Sequence, residues 1–310
     1  MVPTRRRALQ TVGATALAAL AGCATDRIGG DSKPEYSLYV EPVDVSPVEH
    51  ALYTPDDDPL FGAPARTALD AILPSGRHTT YGYRPLPEDA YLSHEGTYYQ
   101  TAYVVTGRKL TQRHLVRVDT VPRESVPDDA VLVDTLDRPT ARVVKILHSY
   151  TQTNGETSTA DLLRDDAYVL RRPAERESRL ATGELSGRVV TMTDSGAWAY
   201  RIRVDRERIV ETAHTALAIE VASDRETFRE VVFGSRIDAE LDASGLSASA
   251  RDVLTQAITR ETYTESGSRS AAFEELLRAL GVRGDDSVSG RLLWYDGSLY
   301  RYALYVSSPD

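Results

Sequence analysis

Three glycines recur at nearly equal intervals, each inside a sequence typical of a tight turn. They are Gly96 in SHEGTYY, Gly196 in TDSGAWAY and Gly297 in WYDGSLYRY, and they lie 100 and 101 residues apart. Glycine readily adopts the positive φ that a short hairpin turn requires, and the polar residues before it favour turning. Because such a turn folds the chain back as two antiparallel strands, the spacing predicts three β-hairpins in an internally repeated chain.

A helical pattern comes before each predicted hairpin. Apolar residues at spacings of three and four indicate the buried face of an amphipathic helix. This spacing is regular over residues 65–73 and 273–280, and it is rougher over residues 163–170. Each hairpin is therefore expected to follow a helix that can cover one face of its strands.

A Tyr-Thr pair followed by turn-forming residues precedes each of these helices, at Tyr53, Tyr150 and Tyr263. A further amphipathic helix is predicted before the second and third pairs, over residues 143–150 and 250–258, whereas SPVEHALY before the first pair allows only one or two turns. The residues expected to start the longer helices are short polar residues or proline, namely Asp137, Pro139, Ser247 and Ser249.

Strand-like alternation follows each turn. After the second turn, Tyr200, Ile202 and Val204 alternate with charged residues, and the other two turns are followed by the same period. A period of two with one polar face indicates an antiparallel sheet that is covered on one side. Four more strand-like segments lie between the copies: RHLVRVDTV, AVLVDTL, HTALAIEVAS and REVVFGS.

These patterns predict an α+β protein with about three divergent modules, each of paired helices packed on antiparallel β-hairpins or sheets. The predicted modules are residues 36–133, 134–237 and 238–310. The alternative is three unrelated α+β stretches that share common turn chemistry. Paired helices followed by Y-D-G-x-Y-Y hairpins are similar to units of haloarchaeal proteins. This resemblance covers most of the chain after the amino terminus and implies no particular activity.

The amino terminus has the features of an export signal. Arg5, Arg6 and Arg7 precede an apolar run from Ala8 to Gly22, which is shorter than the roughly 20 residues that a membrane-spanning helix needs. A basic start followed by a short apolar run predicts a signal peptide over residues 1–22. The paired arginines, Arg5 and Arg6, resemble the twin-arginine address of chains that are exported already folded.

The only cysteine of the chain, Cys23, directly follows this run. The sequence Leu20-Ala21-Gly22-Cys23 resembles a lipobox, and the resemblance implies that Cys23 carries a lipid after cleavage. The alternative is an ordinary signal peptide with a chance cysteine. Residues 23–35 are polar and small, which predicts a flexible tether. The expected location is the outer face of the cell membrane, with the membrane as a partner through the lipid.

The composition is acidic and poor in lysine. The net charge is −10, and removing the three arginines of residues 1–22 changes it to −13. Only three lysines and one asparagine occur. Together with the twin-arginine and lipobox sequences, this composition resembles the exported lipoproteins of haloarchaea. In molar salt the Debye length falls to about 3 Å, so crowded carboxylates repel one another little. The alternative cause of the low lysine and asparagine content is a GC-rich genome, which replaces the codons of these two residues. An acidic body also argues against nucleic acid as a partner.

No catalytic or cofactor motif is evident. Phosphate-loop, dinucleotide and H-E-x-x-H patterns are missing, the six histidines lack i, i+4 spacing, and the lone cysteine excludes disulfides and Cys-zinc sites. Ser186 misses the G-x-S-x-G register by one position. His94-Glu95 and Asp56–Asp58 are interpreted as turn residues instead of an acid/base pair and a cation site. We therefore expect no catalytic residue, no metal and no cofactor.

Aromatic residues are concentrated beside the hairpin turns. Packing in the core is the first interpretation. If Tyr98, Trp198 and Tyr305 instead face outward, they offer a platform for a protein or glycan partner. We expect a membrane-tethered extracellular protein with a non-enzymatic binding role. The alternatives are a secreted hydrolase, whose acids and histidines meet only in the folded chain, and a purely structural surface component.

Overall fold

The computed structural model describes residues 33–284 and 286–307. Thirteen strands share an extended backbone and are numbered in chain order: β1 Glu35–Val43, β2 Arg77–Tyr81, β3 Tyr91–His94, β4 Thr97–Val121, β5 Val131–Leu132, β6 Leu163–Arg164, β7 Ala167–Val169, β8 Val189–Thr191, β9 Ala199–Ala222, β10 Ala239–Leu241, β11 Thr262–Ser266, β12 Val288–Tyr295 and β13 Ser298–Ser307. Seven α-helices accompany them: α1 Pro47–Ala51, α2 Gly62–Ile72, α3 Arg138–Gln152, α4 Pro173–Arg176, α5 Arg225–Arg236, α6 Ala248–Arg260 and α7 Ala271–Ala279. The combination of helices and strands agrees with the predicted α+β class, although parallel strand pairs occur beside the predicted antiparallel ones.

The described residues divide into two compact units, residues 47–236 and the combination of residues 33–46 with residues 237–284 and 286–307. We call the second combination unit 1, since it contains β1, and Pro47–Arg236 unit 2. These units differ from the three predicted modules. The boundary predicted between residues 133 and 134 lies inside unit 2, because β4 and β9 pair with each other across it.

Unit 1 contains a five-stranded sheet in the order β10-β12-β13-β1-β11. Strand β1 pairs antiparallel with both of its neighbours, although more than 200 residues of chain separate it from each of them. Helices α6 and α7 cover one face, where Leu38 and Leu304 of the sheet meet Leu254 and Phe273 of the helices in one buried cluster. Alternation along β1 and β13 leaves every second side chain on the opposite face.

Unit 2 is organised around β4 and β9, which have 25 and 24 residues. They pair antiparallel from Tyr98 opposite Ala222 to Val121 opposite Ala199, with β-bulges near one end. Strand β7 extends the sheet beside β4, and β2 and β8 pair with β9. Helix α2 packs in one cluster with Tyr99, and α3 packs in another cluster near the opposite end of the strands.

Several predicted elements are confirmed. The segments 65–73, 143–150, 250–258 and 273–280 lie within or overlap α2, α3, α6 and α7. The side chain of Asp137 accepts the Thr140 amide as the N-cap of α3, and Ser247 caps α6 in the same way. These positions were predictable because a cap is a local hydrogen bond between residues three apart in sequence.

The glycine turns are also confirmed as connections between paired strands. Gly96 has a φ of 83° and lies in a two-residue turn between β3 and β4. Gly297 has a φ of 77° and lies in a two-residue turn between β12 and β13. Gly196, with φ of 71°, lies in a longer connection between β8 and β9. Only the first and third turns therefore have the tight form that the sequence predicts.

Two secondary-structure predictions were wrong. Residues 163–170 form β6 and β7 instead of a helix, because the segment pairs with β4. REVVFGS lies in α5 instead of a strand, because Phe228 and Val232, four residues apart, bury one helical face. The Tyr-Thr pairs do not mark one common turn either, since Tyr150 is in α3 and Tyr263 is in β11.

Candidate functional site

The open face of unit 1 carries the candidate site. On β1, Leu38 and Val40 point toward the helices, so Ser37, Tyr39 and Glu41 occupy the other face. Their partners on β13 follow from the antiparallel register: Tyr305 opposite Ser37, Ala303 opposite Tyr39 and Arg301 opposite Glu41. These two adjacent strands in the interior of the sheet therefore present a single surface of alternating aromatic, small and charged side chains.

Two tyrosines form a corner on this face. The ring centroids of Tyr39 and Tyr305 are 5.4 Å apart, and their planes meet at 84°. This edge-to-face geometry is the favoured arrangement of two aromatic rings. The small side chain of Ala303 lies opposite Tyr39 across the strand pair. Tyr305 is 47% exposed, so one ring of the corner is accessible to a ligand.

A β-bulge widens the same surface into a trough. The register between β12 and β13 shifts between Val288 and Arg291. Gly290, inside the bulge, has φ of 70°, and no atom lies within 4 Å of the position that a Cβ would take there. The resulting cavity of about 600 Å³ extends across β1, β13 and the start of β12. We call it the tyrosine trough.

Hydroxyls and carboxylates surround the two rings. The polar lining consists of Ser37, Ser287, Ser289, Ser307, Glu35, Glu41 and Arg301. Serine hydroxyls both donate and accept hydrogen bonds, whereas ionised glutamates only accept. Two carboxylates and one guanidinium give the lining a net negative charge. This surface can therefore hydrogen-bond a ligand that carries many hydroxyls or a positive charge.

The rigidity of the trough comes from the buried side of the sheet. The Tyr302 hydroxyl donates to the Leu280 carbonyl at 2.8 Å, which ties β13 to the chain after α7. Burial is the main cause that raises the pKa of Tyr302 to about 12, and the Asp238 carboxylate contributes in the same direction. Tyr302 thus stays neutral and bonded at physiological pH and fixes the strand that carries Tyr305.

The predicted aromatic platform divides between the core and the surface. Tyr98 is 6% exposed and stacks on Phe228 with ring centroids 4.2 Å apart, so core packing, the first interpretation, is confirmed for it and the outward alternative is not. Trp198, at 52% exposed, and Tyr305 do face outward, but they belong to different units. Tyr39 was missed by sequence reasoning, because its pairing with β13 joins residues about 260 positions apart.

The other residues considered for chemistry have structural contacts. His148 Nδ1 lies 2.7 Å from the Tyr200 hydroxyl, and His114 Nε2 accepts from Arg206. Asp58 was expected in a solvated turn, but it is buried and its carboxylate lies 3.1 Å from Arg138. In the described part of the chain, no three His, Cys, Asp or Glu residues are grouped as metal ligands.

The predicted export and lipid residues fall outside the described residues. They are the twin arginines, the lipobox and its cysteine, namely Arg5, Arg6, Leu20, Ala21, Gly22 and Cys23. Within residues 33–284 and 286–307, no helix combines the length and the apolar character that crossing a bilayer requires.

Comparison with protein-family models, with curated proteins and with solved structures gave no match to this chain. The tyrosine trough is therefore interpreted from its own geometry.

Proposed function

We propose that this chain is a lipid-anchored, non-enzymatic binding protein of the outer cell surface, and that the tyrosine trough binds a neutral saccharide. In this proposal residues 1–22 are removed after twin-arginine export and Cys23 carries the lipid. One observation carries the saccharide assignment. The Tyr39–Tyr305 corner lies among four serine hydroxyls and two carboxylates in one cavity.

Sugar chemistry matches this combination of groups. The C–H bonds on one face of a sugar ring pack on the electron-rich face of an aromatic ring, which has a negative quadrupole. The hydroxyls around the sugar need partners that accept and donate, and carboxylates accept the strongest of these hydrogen bonds. In an aromatic corner, one ring can stack against the face of the sugar while the second ring contacts its edge, which fixes the orientation of the sugar.

The charge of the trough selects against acidic sugars. Glu35 lies opposite Ser307, without an opposite charge across the strand pair, whereas Glu41 lies opposite Arg301. A uronic acid or a sulfated sugar would bring like charge beside Glu35, and such repulsion is a common source of specificity. We therefore assign a neutral glycan and not an anionic one.

The position of β1 fits a tethered binding protein. Strand β1 begins at Glu35, which is also a residue of the trough lining. The 12 peptide bonds from Cys23 to Glu35 can span at most about 40 Å when the chain is fully extended. Anchoring at Cys23 would thus hold the trough close to the membrane, within reach of glycans on the same cell surface.

We further propose that the three modules are divergent repeats. The turns are almost equally spaced, and two of their hairpins have the same backbone form. Those at Gly96 and Gly297 share a positive φ at the glycine and at the acidic residue before it. Strands β4 and β9 follow the first two turns and have nearly equal lengths. They pair antiparallel with each other over almost their whole length. Duplication of one hairpin unit would account for such a pair.

Titration of the protein with neutral oligosaccharides in an isothermal calorimeter tests the saccharide assignment. Tyr305→Ala should weaken binding by about tenfold or more, since stacking and apolar contact with one ring are lost. Tyr305→Phe keeps the ring and should bind nearly as well as the wild type. Trp198→Ala removes an equally exposed aromatic residue of unit 2 and serves as the control. Equal binding by wild type and Tyr305→Ala would contradict the assignment.

A further inference from the structure

Unit 2 contains a cavity whose lining is strongly basic, although the chain as a whole is acidic. The cavity has a volume of about 200 Å³, and its charged residues are Arg84, Arg142, Arg171, Arg172 and Glu175. Four guanidiniums and one carboxylate thus line the cavity, and Arg84 also forms an ion pair with Glu88, which lies outside this lining. The question is whether carboxylates of the protein itself satisfy these arginines.

Glu175 forms only a loose ion pair with Arg142, at 3.7 Å, and both of its oxygens accept hydrogen bonds from other groups. It is 1% exposed, and one of its oxygens accepts the backbone amides of Arg171 and Arg172 at 2.8 and 2.9 Å. The other oxygen accepts the Tyr168 hydroxyl at 2.6 Å, and that hydroxyl itself accepts from Arg142 Nη1 at 2.6 Å. Burial and the nearby Glu175 raise the pKa of Tyr168, which therefore stays protonated as a donor.

The second buried carboxylate beside the cavity is also occupied. Glu211 of β9 accepts Arg113 Nε at 3.1 Å, and Arg171 Nε contacts both of its oxygens at 3.0 and 3.2 Å. Glu211 is thus shared between the guanidiniums of Arg113 and Arg171. Neither buried carboxylate bonds the guanidinium of Arg172.

Arg172 is held by aromatic rings instead. Its guanidinium carbon lies 4.5 Å from the centroid of the Phe61 ring and 5.2 Å from that of Tyr83. Its Nη1 atom is buried and has no hydrogen-bond partner among the described residues. Burial is the main cause that lowers the pKa of Arg172. A buried donor without a partner is costly, so this nitrogen marks a place where an acceptor is missing.

A second guanidinium shares the same aromatic wall. The carbon of Arg142 lies 5.3 Å from the Phe61 centroid, so two like charges approach one ring. An anion between them would relieve this repulsion and supply the acceptor that Arg172 lacks. Guanidinium forks bind carboxylate, phosphate and sulfate groups through paired hydrogen bonds.

We propose that this cavity is a binding site for a small oxyanion, held between the guanidiniums of Arg142 and Arg172 with Arg84 at its rim. The ligand chemistry is a carboxylate, phosphate or sulfate group on a molecule small enough for about 200 Å³. This site lies in unit 2 and is independent of the saccharide proposal for unit 1. The rival explanation is that the arginines only stabilise the fold through cation–π contacts.

Calorimetric titration of the full-length protein with sodium phosphate, sodium sulfate and sodium malonate, at fixed chloride concentration and ionic strength, tests the site. We expect saturable binding of at least one of these anions and none of malonamide, which resembles malonate but has no charge. Binding of phosphate or sulfate alone would identify a tetrahedral ligand, and binding of malonate alone a carboxylate. The proposal is overturned if none of the three anions saturates.

Two variants locate the binding. Arg172→Gln should weaken the anion affinity by about tenfold or more, because one charged hydrogen-bond donor is lost. Arg229→Gln is the matched control, since Arg229 also stacks on an aromatic ring, Phe233, at 4.0 Å but lies outside the cavity lining. If Arg172→Gln does not fold, Arg84→Gln, whose side chain is 43% exposed, should still weaken binding several-fold. Unchanged affinity in the folded cavity variants would show that the arginines are structural only.

Discussion

Arg113 of β4 and Glu211 of β9 form an ion pair at 3.1 Å, with both side chains more than nine-tenths buried. In the register of the two long strands, Arg113 lies opposite Glu207 and Glu211 lies opposite Lys109, so the ion pair is diagonal and spans four positions along the strands. Arg113 also donates to the Tyr81 carbonyl at 2.9 Å. This arginine therefore joins β2, β4 and β9 at the middle of unit 2.

Arg113→Ala should lower the free energy of unfolding by about 3 kcal/mol or more, because it leaves a buried carboxylate with one charged partner fewer. The measurement is urea unfolding at fixed salt. Arg203→Ala is the control, since Arg203 pairs with Asp119 at 3.0 Å with both side chains about half exposed. An exposed pair contributes about 0–1 kcal/mol, so equal losses in the two variants would contradict this prediction.

Gly82→Ala should lower the stability of unit 2 by more than the cost of backbone strain alone, because the added methyl group also meets other atoms. Gly82 has φ of 78°, and a Cβ there would lie 2.1 Å from Glu211 Oε2 and 2.6 Å from Arg171 Nε. Gly96→Ala shares the positive φ but meets no atom within 4 Å, so it should cost only about 1–2 kcal/mol. The difference between the two midpoints of thermal unfolding measures the clash with Glu211. No difference between them would count against it.

The His148–Tyr200 contact predicts a loss of stability in mild acid. Gln152 Nε2 donates to the Tyr200 hydroxyl at 3.0 Å, and a neutral His148 can accept the hydroxyl proton at Nδ1, so this arrangement favours the neutral imidazole. Burial lowers the pKa of His148 below its ordinary value. Its contribution is thus fully present above a pH of about 6.5 and is lost as the pH falls through the lower folded pKa. Burial lowers the pKa of His78, His114 and His214 too, so they add to the same trend.

A comparison of two variants isolates the part due to His148. His148→Gln should reduce the fall in unfolding free energy between pH 7 and 5. Gln152→Ala removes a donor to the same hydroxyl but does not titrate, so its cost of about 1 kcal/mol should be the same at both pH values. Urea unfolding at the two pH values is the measurement. A fall of equal size in wild type and His148→Gln would disprove the assignment to this histidine.

Export and anchoring give a prediction on the amino terminus. Cys23→Ser should release the protein into the medium or leave its precursor uncleaved, because the lipid attachment atom is gone. Replacing Arg5 and Arg6 by lysine should block export through the twin-arginine route. Fractionation of cells into membrane, cytosol and medium measures both effects. Unchanged membrane retention of Cys23→Ser would refute lipid anchoring, and normal secretion of the lysine variant would refute the export route.

The parts of the fold that could be predicted from sequence depend on neighbouring residues. The cap at Asp137 and the turns at Gly96 and Gly297 are determined within about four positions, and all three were confirmed. REVVFGS was wrongly predicted as a strand, because a run of β-branched residues suggested one although Phe228 and Val232 already had helical spacing.

Contacts between residues far apart in sequence could not be predicted from such local patterns. Nothing near Tyr39 in sequence indicates that its ring will meet Tyr305, and the pairing of β4 with β9 joins positions about 100 apart. The oxyanion cavity was equally unpredictable from local sequence, since Phe61, Arg142 and Arg172 come from three separate segments. Each of these arginines alone resembles an ordinary surface charge, and only their convergence on one ring distinguishes them.

The placement of β1 in the interior of its sheet has a mechanical consequence. A force that enters the folded chain through its amino-terminal segment acts first on Glu35–Val43, which is hydrogen-bonded to β13 on one side and to β11 on the other. An edge strand could be peeled away one bond at a time, but lengthwise traction on β1 loads the bonds of both ladders together. Unit 1 is therefore built to resist pulling from the side on which a surface protein would be held.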